Sequence, residues 1–305
     1  MRTGSWTAAV KDEIAGQGFS TDCCKRAFLS GLLHAAGSLI LSHDGLSVEL
    51  TLDRRTAAKK ATRLFLSAYG VRAEEEGRSL RFRDPVLPAV LADLGVFSKG
   101  EASDGTKPAY SLLPGIPPAL VRSTCCKANY LRGAFIGAGS LSVGDGYRLT
   151  LALESAALAE DIARLLSDYS IGAAVTARKG KAVVTLNDLE SISDCLALLG
   201  AGETVAGLQS ESVLRNVRQN ANRALNCELG NLTKLVEASL KQTEAIKRLR
   251  AADGLDALPR KLKEAAEVRL SYPEDSLEAL AARLGISKSA LKYRLAQLIK
   301  RSETL

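Results

Sequence analysis

The sequence predicts an α+β chain in which two fused copies of a small αββαββα unit precede an all-α module. Three observations carry this reading. The segment LRGAFIGAGSL at Leu131–Leu141 restates LSGLLHAAGSL at Leu29–Leu39, and each copy follows two adjacent cysteines and a lysine, Cys23-Cys24-Lys25 and Cys125-Cys126-Lys127. The pattern after each copy repeats in the same order. Beyond Glu203 the strand-like alternation stops and helical spacing takes over. A period of about 100 residues, present only twice, indicates a duplicated domain and not a solenoid.

Taken in order, residues 1–20 predict a short amphipathic leading helix and a Gly-containing loop. Repeat one covers about 21–97: the repeated helix, an alternating strand at Leu46–Leu52, an amphipathic helix at Ala57–Tyr69, a strand pair after Val71 and a closing helix at Val86–Leu94. Repeat two covers about 120–200, with the corresponding parts at Tyr147–Leu153, Ala157–Tyr169, after Ile171 and at Ile192–Leu199. Between them Ser98–Pro118 holds three glycines and four prolines, which predicts the inter-repeat connection with a mobile centre. The duplicated domain therefore spans 1–202.

The repeated helix carries small residues four apart, Gly31 with Ala35 and Gly133 with Gly137. Residues at that spacing share one helix face. Two such faces can meet backbone to backbone, so the copies are expected to pair about a pseudo-two-fold axis. The flanking leucines, Phe135 and Ile136 then cover the sheets.

Residues 203–224 read as a helical linker and 225–305 as a C-terminal helical domain. Leu225, Leu229, Leu232, Leu235 and Val236 recur at three- and four-residue spacing. The polar group Asn222-Arg223, Asn226-Cys227-Glu228 and Asn231 is expected to cap or break this run, with Asn231 as N-cap of a helix over Leu232–Arg250. A loop around Asp253-Gly254 and a helix from about Pro259 to Leu270, ended by Ser271-Tyr272-Pro273, follow.

The stretch SLEALAARLGISKSALKYRLAQLIKRS fits a helix-turn-helix. Leu277, Leu280, Ala281 and Leu284 form the inner face of a short helix. Gly285 supplies the turn, Ile286 plugs the core, and Ser287 caps a second helix held by Leu291, Leu295 and Leu298. The first turns of that helix enter the major groove in such motifs, so Ser287, Lys288, Ser289, Lys292, Tyr293 and Arg294 are the candidate DNA-binding residues. Lys292 and Arg294 suit phosphates; Ser289 and Tyr293 suit base edges.

Charge placement agrees. Residues 206–305 carry 18 Lys and Arg against 12 Asp and Glu, whereas 1–205 carry 23 against 22, so the excess of the +7 chain lies at its C-terminal end. That asymmetry points to a polyanionic partner there. The basic residues scattered on the repeats' strands, Arg81, Arg83, Arg148, Arg178, Lys179 and Lys181, lie close to acids such as Glu74, Glu75 and Glu76, which favours an ordinary solvated sheet face.

No apolar run reaches the roughly 18 residues of a membrane span, and the N-terminus lacks a signal-peptide core. The expected location is the cytoplasm, at the nucleoid, with no membrane partner and no small-molecule substrate. Zinc sites use spaced ligands such as Cys-x₂-Cys. The adjacent cysteines therefore read as buried thiols at the start of the core helices, with no metal and no cofactor expected. His34 reads as a packed polar residue.

LSGLLHAAG and LRGAFIGAG resemble the LAGLIDADG helix of homing endonucleases. In that family two such helices form the central interface, and an acid before the last glycine of each binds the catalytic metal. The matching positions here are Ala36 and Ala138. Alanine has no oxygen for a divalent cation, so the resemblance implies the scaffold without the cleavage chemistry, and no catalytic residue is assigned.

LGISKSALKYRL resembles the promoter-reading region of sigma factors. Together with SWTAAVKDEIA, NRALNCELGNLTKLVEASLKQTEAIKRL and PEDSLEALAARLGISKSALKYRL, in that order along the whole chain, it is similar to the WhiA family of sporulation and cell-division regulators. The resemblance implies a sequence-specific DNA-binding transcription regulator acting in cell division, chromosome segregation or sporulation on promoter regions of double-stranded DNA. Two other readings compete: an interaction scaffold that docks a protein co-regulator or RNA polymerase, and an active homing-type endonuclease. The last needs carboxylates that Asp44, Asp145 and Glu49 are too far along the strands to supply.

Overall fold

The computed structural model describes residues 5–304 apart from 44, 102–107, 253–254 and 256. The chain forms two compact units, Met1–Glu211 and Ser212–Leu305.

In the first unit, α1 (Trp6–Gly16) precedes two repeats with the same element order. Repeat one comprises α2 (Asp22–Ala36), β1 (Gly37–Ser42), β2 (Gly45–Thr51), α3 (Arg55–Tyr69), β3 (Ala73–Glu76), β4 (Ser79–Arg83) and α4 (Leu87–Asp93). Repeat two comprises α5 (Thr124–Ala138), β7 (Gly139–Val143), β8 (Tyr147–Leu153), α6 (Ala156–Ser167), β9 (Ala174–Arg178), β10 (Lys181–Leu186) and α7 (Leu189–Leu199). Each builds an antiparallel four-stranded sheet, ordered β1-β2-β4-β3 and β7-β8-β10-β9. The duplicated αββαββα arrangement expected from the sequence is therefore present in both halves.

The helices α2 and α5 pack on each other along their small-residue faces. A Cβ built on Gly31 would lie 2.1 Å from the Tyr130 carbonyl oxygen, and one on Gly137 would lie 2.9 Å from the Ala35 Cβ. The two helices run parallel, with their N-termini together. Their outer faces, including Phe28, Leu29, Leu32, Phe135 and Ile136, are buried in one core that continues under both sheets. Phe65 of α3 stacks on Phe82 of β4 with ring centroids 4.2 Å apart.

The leading helix does more than precede the repeats. Thr7 Oγ1 donates to the Leu141 carbonyl at 3.0 Å and accepts from the Leu141 N–H at 2.9 Å, which fixes α1 to β7 of repeat two. On its other side Lys11 Nζ meets Asp53 Oδ1 of repeat one at 3.1 Å. One short helix therefore bridges the halves.

The inter-repeat segment carries regular structure at its flanks. Its flanks pair as a two-stranded ribbon, β5 (Phe97–Glu101) with β6 (Pro108–Leu112). The centre expected to be mobile, 102–107, lies outside the described residues. Pro108 closes the first pair and not the middle of the ladder, a position that proline tolerates.

The polar group at Asn222–Asn231 was expected to cap or break the helix; instead α8 runs from Gly202 to Ala251 without interruption. Asn231 is therefore an interior residue and not an N-cap. The run has no proline, each exposed Asn or Gly costs at most about 1 kcal/mol of helix propensity, and Thr233 Oγ1 satisfies itself by bonding back to the Leu229 carbonyl at 2.9 Å. The leucines at 225, 229 and 232 are exposed. The loop expected at Asp253-Gly254 falls outside the described residues.

In the second unit, the end of α8, α9 (Arg260–Ser271), α10 (Leu277–Arg283) and α11 (Lys288–Ser302) enclose a core of Ile246, Leu249, Leu262, Ala265, Ala266, Leu280, Ala281, Leu291, Leu295 and Leu298. Arg269 is buried there and donates to the Asp275 carbonyl at 2.9 Å, which holds the turn between α9 and α10.

Candidate nucleic-acid interface

The helix-turn-helix is built by local rules. Ser276 and Ser287 cap α10 and α11, each accepting from the backbone N–H three residues on, at 3.2 Å. Such caps satisfy donors that a helix start leaves free. Gly285 adopts φ of 64°, the left-handed conformation that ends α10, and Ile286 packs against the core.

The candidate residues divide into two groups. Lys288, Ser289, Lys292 and Tyr293 are exposed on the first turns of α11, beside the capping Ser287. Tyr293 is 66% exposed; its hydroxyl accepts from Gln297 Nε2 at 2.8 Å, which leaves the phenol O–H available as a donor. Lys288 reaches Glu278 at 3.4 Å, both side chains being solvated, so screening makes the pair easily exchanged.

Arg294 does not join them. Its side chain is 16% exposed and lies 3.9 Å from Glu264, and it donates to the Lys261 carbonyl at 3.3 Å. It ties α11 to α9. Arg283 is exposed but engaged, with its guanidinium 3.0 Å from Asp275 and 3.8 Å from the Tyr272 ring centroid. The segment from Arg283 to Arg301 holds six basic residues and no acidic one, and they are not one free patch.

In the first unit, Ala36 and Ala138, the residues aligned by the resemblance with the acid positions, are the last residues of α2 and α5. Glu49 pairs across the ladder from Ser38 and sits 3.6 Å from Arg81, neutralised on the sheet. Two of the sheet-face cations are engaged in this way: Arg81 with Glu76 at 3.1 Å and Lys181 with Glu154 at 2.8 Å.

His34 crosses between the repeats: the Tyr130 hydroxyl lies 2.8 Å from its Nδ1 and the Gly95 carbonyl 3.2 Å from its Nε2. This network assigns the proton to Nε2. Burial pushes the imidazole below its ordinary value, partly opposed by the Gly95 carbonyl.

One cluster escaped the sequence reading. The sulfurs of Cys23, Cys24 and Cys126 lie within 4.8 Å of one another. Cys23 and Cys125 are exposed, not buried as expected, while Cys24 and Cys126 are buried. Burial pushes Cys24 up, yet hydrogen bonds from Thr21 and Ser20 and contacts with Cys125 and Cys126 bring it below its ordinary value, and Cys126 is pushed up by burial and its cysteine neighbours. The equal position of both cysteine pairs in the repeats was the available signal.

A duplicated LAGLIDADG-like scaffold and a helix-turn-helix unit define the class of protein. Family models agree along the chain: a WhiA N-terminal LAGLIDADG-like domain matches 22–78, a WhiA LAGLIDADG-like domain 127–218 and a WhiA C-terminal HTH domain 221–301. The chain is 32% identical to the probable cell division protein WhiA of Desulfitobacterium hafniense over 99% of its length and 96% of that protein's. It is also 32% identical to the probable cell division protein WhiA of Syntrophomonas wolfei, with 96% of each covered. The crystal structure of full-length DUF199/WhiA from Thermatoga maritima superposes with a TM-score of 0.54 at 20% identity, covering 100% of this chain and 99% of that one. The chain belongs to the WhiA family. Among the described residues no helix is long and apolar enough to cross a membrane.

Proposed function

We propose that this chain is a sequence-specific DNA-binding transcription regulator acting in cell division, chromosome segregation or sporulation; the name of its relatives, probable cell division protein, supports the first of these settings. Its place would be the cytoplasm, on promoter DNA of the nucleoid. The observation that carries the reading is the capped, solvent-facing start of α11, where Ser289, Lys292 and Tyr293 stand clear of the body of their own unit. A capped helix start with exposed polar and cationic side chains presents donors to base edges and phosphates together. The endonuclease-like half serves as an inactive scaffold, because Ala36 and Ala138 offer no oxygen to a catalytic cation.

A mobility-shift titration of the full chain against genomic promoter fragments tests this. Binding should be sequence-selective and fall steeply with salt, as phosphate neutralisation requires. Affinity that is the same for all sequences, or Mg²⁺-dependent nicking of the bound DNA by the pure chain, would overturn the reading.

A further inference from the structure

The convergence of the two cysteine pairs has no part in the helix-turn-helix, and it lies at the opposite end of α2 and α5 from the vacated acid positions. Each pair begins its helix, α2 at Asp22 and α5 at Thr124, and parallel packing brings the starts together. Side chains from two separate repeats thus meet at one point. In a tetrahedral zinc thiolate centre, with Zn–S near ~2.3 Å, the sulfurs stand roughly 3.8 Å apart. Three sulfurs within 4.8 Å need only small rotations to reach that spacing.

We propose that Cys23, Cys24 and Cys126 form a binding site for one thiophilic d¹⁰ cation of the zinc class, with its fourth position facing solvent beside Cys125. A disulfide would use two sulfurs and leave the third without a purpose; a single cation uses all three. The surroundings suit thiolates. Both helix starts direct their positive ends at the sulfurs. Thr21 Oγ1 stands 3.1 Å from Cys23 and 3.2 Å from Cys24, a hydroxyl placed to orient two of the ligands, and Ser123 Oγ accepts from the Cys126 N–H at 3.3 Å, which fixes the backbone of the third. A cavity of about 560 Å³, lined by Cys23, Cys126, Arg26 and Arg122, opens onto the cluster and supplies a path in. Arg26 in its wall is paired with Asp93, and Arg122 adds a further positive charge facing the net negative charge of three thiolates on a divalent ion. Bound there, the cation would clamp repeat one to repeat two, and each thiol would lose its proton on binding.

The full-length, reduced chain is titrated with Co²⁺ as the spectroscopic probe and then with Zn²⁺ in competition. Expected are a sulfur-to-cobalt charge-transfer band saturating at about one ion per chain, its displacement by Zn²⁺, and a higher Tm in Zn²⁺. Cys23→Ser, at an exposed position, keeps the fold and should weaken Zn²⁺ binding at least ten-fold. Cys227→Ser, in the other unit, should change nothing. Three results would overturn the site: no charge-transfer band in the reduced wild type, an unchanged band in Cys23→Ser, or metal-free protein isolated with Cys126 disulfide-bonded to Cys23 or Cys24.

Discussion

Gly133 faces the carbonyl of Phe28 so closely that a Cβ on it would lie 2.0 Å from that oxygen, and Gly31 stands in the mirrored relationship to Tyr130 at 2.1 Å. Main chain, not side chain, forms the pseudo-two-fold contact. An added methyl cannot be absorbed by rotating a neighbour, so the helices must separate.

Gly133→Ala and Gly31→Ala should therefore each cost about 3 kcal/mol or more, the upper range for overpacking. Gly230→Ala, inside α8 with nothing within 4 Å of the new Cβ, should stabilise by about 0.5–1 kcal/mol. Chemical denaturation of the three variants checks this; an unaffected Gly133→Ala would mean that α2 and α5 are not in backbone contact.

His34 makes stability depend on pH. Its folded value is depressed, first by burial, so its contribution is fully present above the ordinary value of about 6.5 and is lost as pH falls through the folded value. The Tm should decline as pH falls below about 6.5, and His34→Gln should flatten that decline. Equal slopes in variant and wild type would assign the acid loss to other groups.

On α11 the two kinds of basic residue should separate by experiment. Lys292→Ala should leave the Tm unchanged, weaken DNA binding about five- to ten-fold and reduce the salt slope by about 1. Arg294→Ala should lower the Tm as well, because it removes the contacts to Lys261 and Glu264. A stable Arg294→Ala variant that loses only affinity would place that guanidinium on DNA.

Gly285 tests the turn. With φ at 64°, Gly285→Ala should cost about 1–2 kcal/mol of stability in the second unit, and Gly285→Asn less, since asparagine visits this region more readily. Thermal melts followed by circular dichroism would show the order; alanine tolerated as well as asparagine would rule out the strained turn.

Much of this was readable before any fold was seen. Alternation at Tyr147–Leu153 marked β8, and the Ser287 cap, Gly285 and the leucines at 291, 295 and 298 marked α11, because capping, periodicity and positive φ are properties of neighbouring residues. Elsewhere local rules misled. The Asn222–Asn231 group looked like a helix break, but nothing in it forbids helix, and α8 continues. Ser98–Pro118 read only as a connection, and the pairing of its flanks as β5 and β6 went unseen.

The chain's own residue order was enough to specify the duplication, the element succession, the small-residue faces and the helix-turn-helix. Contacts between residues far apart in sequence settled the rest: Arg294 turned onto α9, α1 bridging both repeats, and Cys126 arriving beside Cys23 and Cys24. Spacing along a chain reports which side chains share a face. Which faces then meet depends on how whole elements pack, and no local pattern contains that.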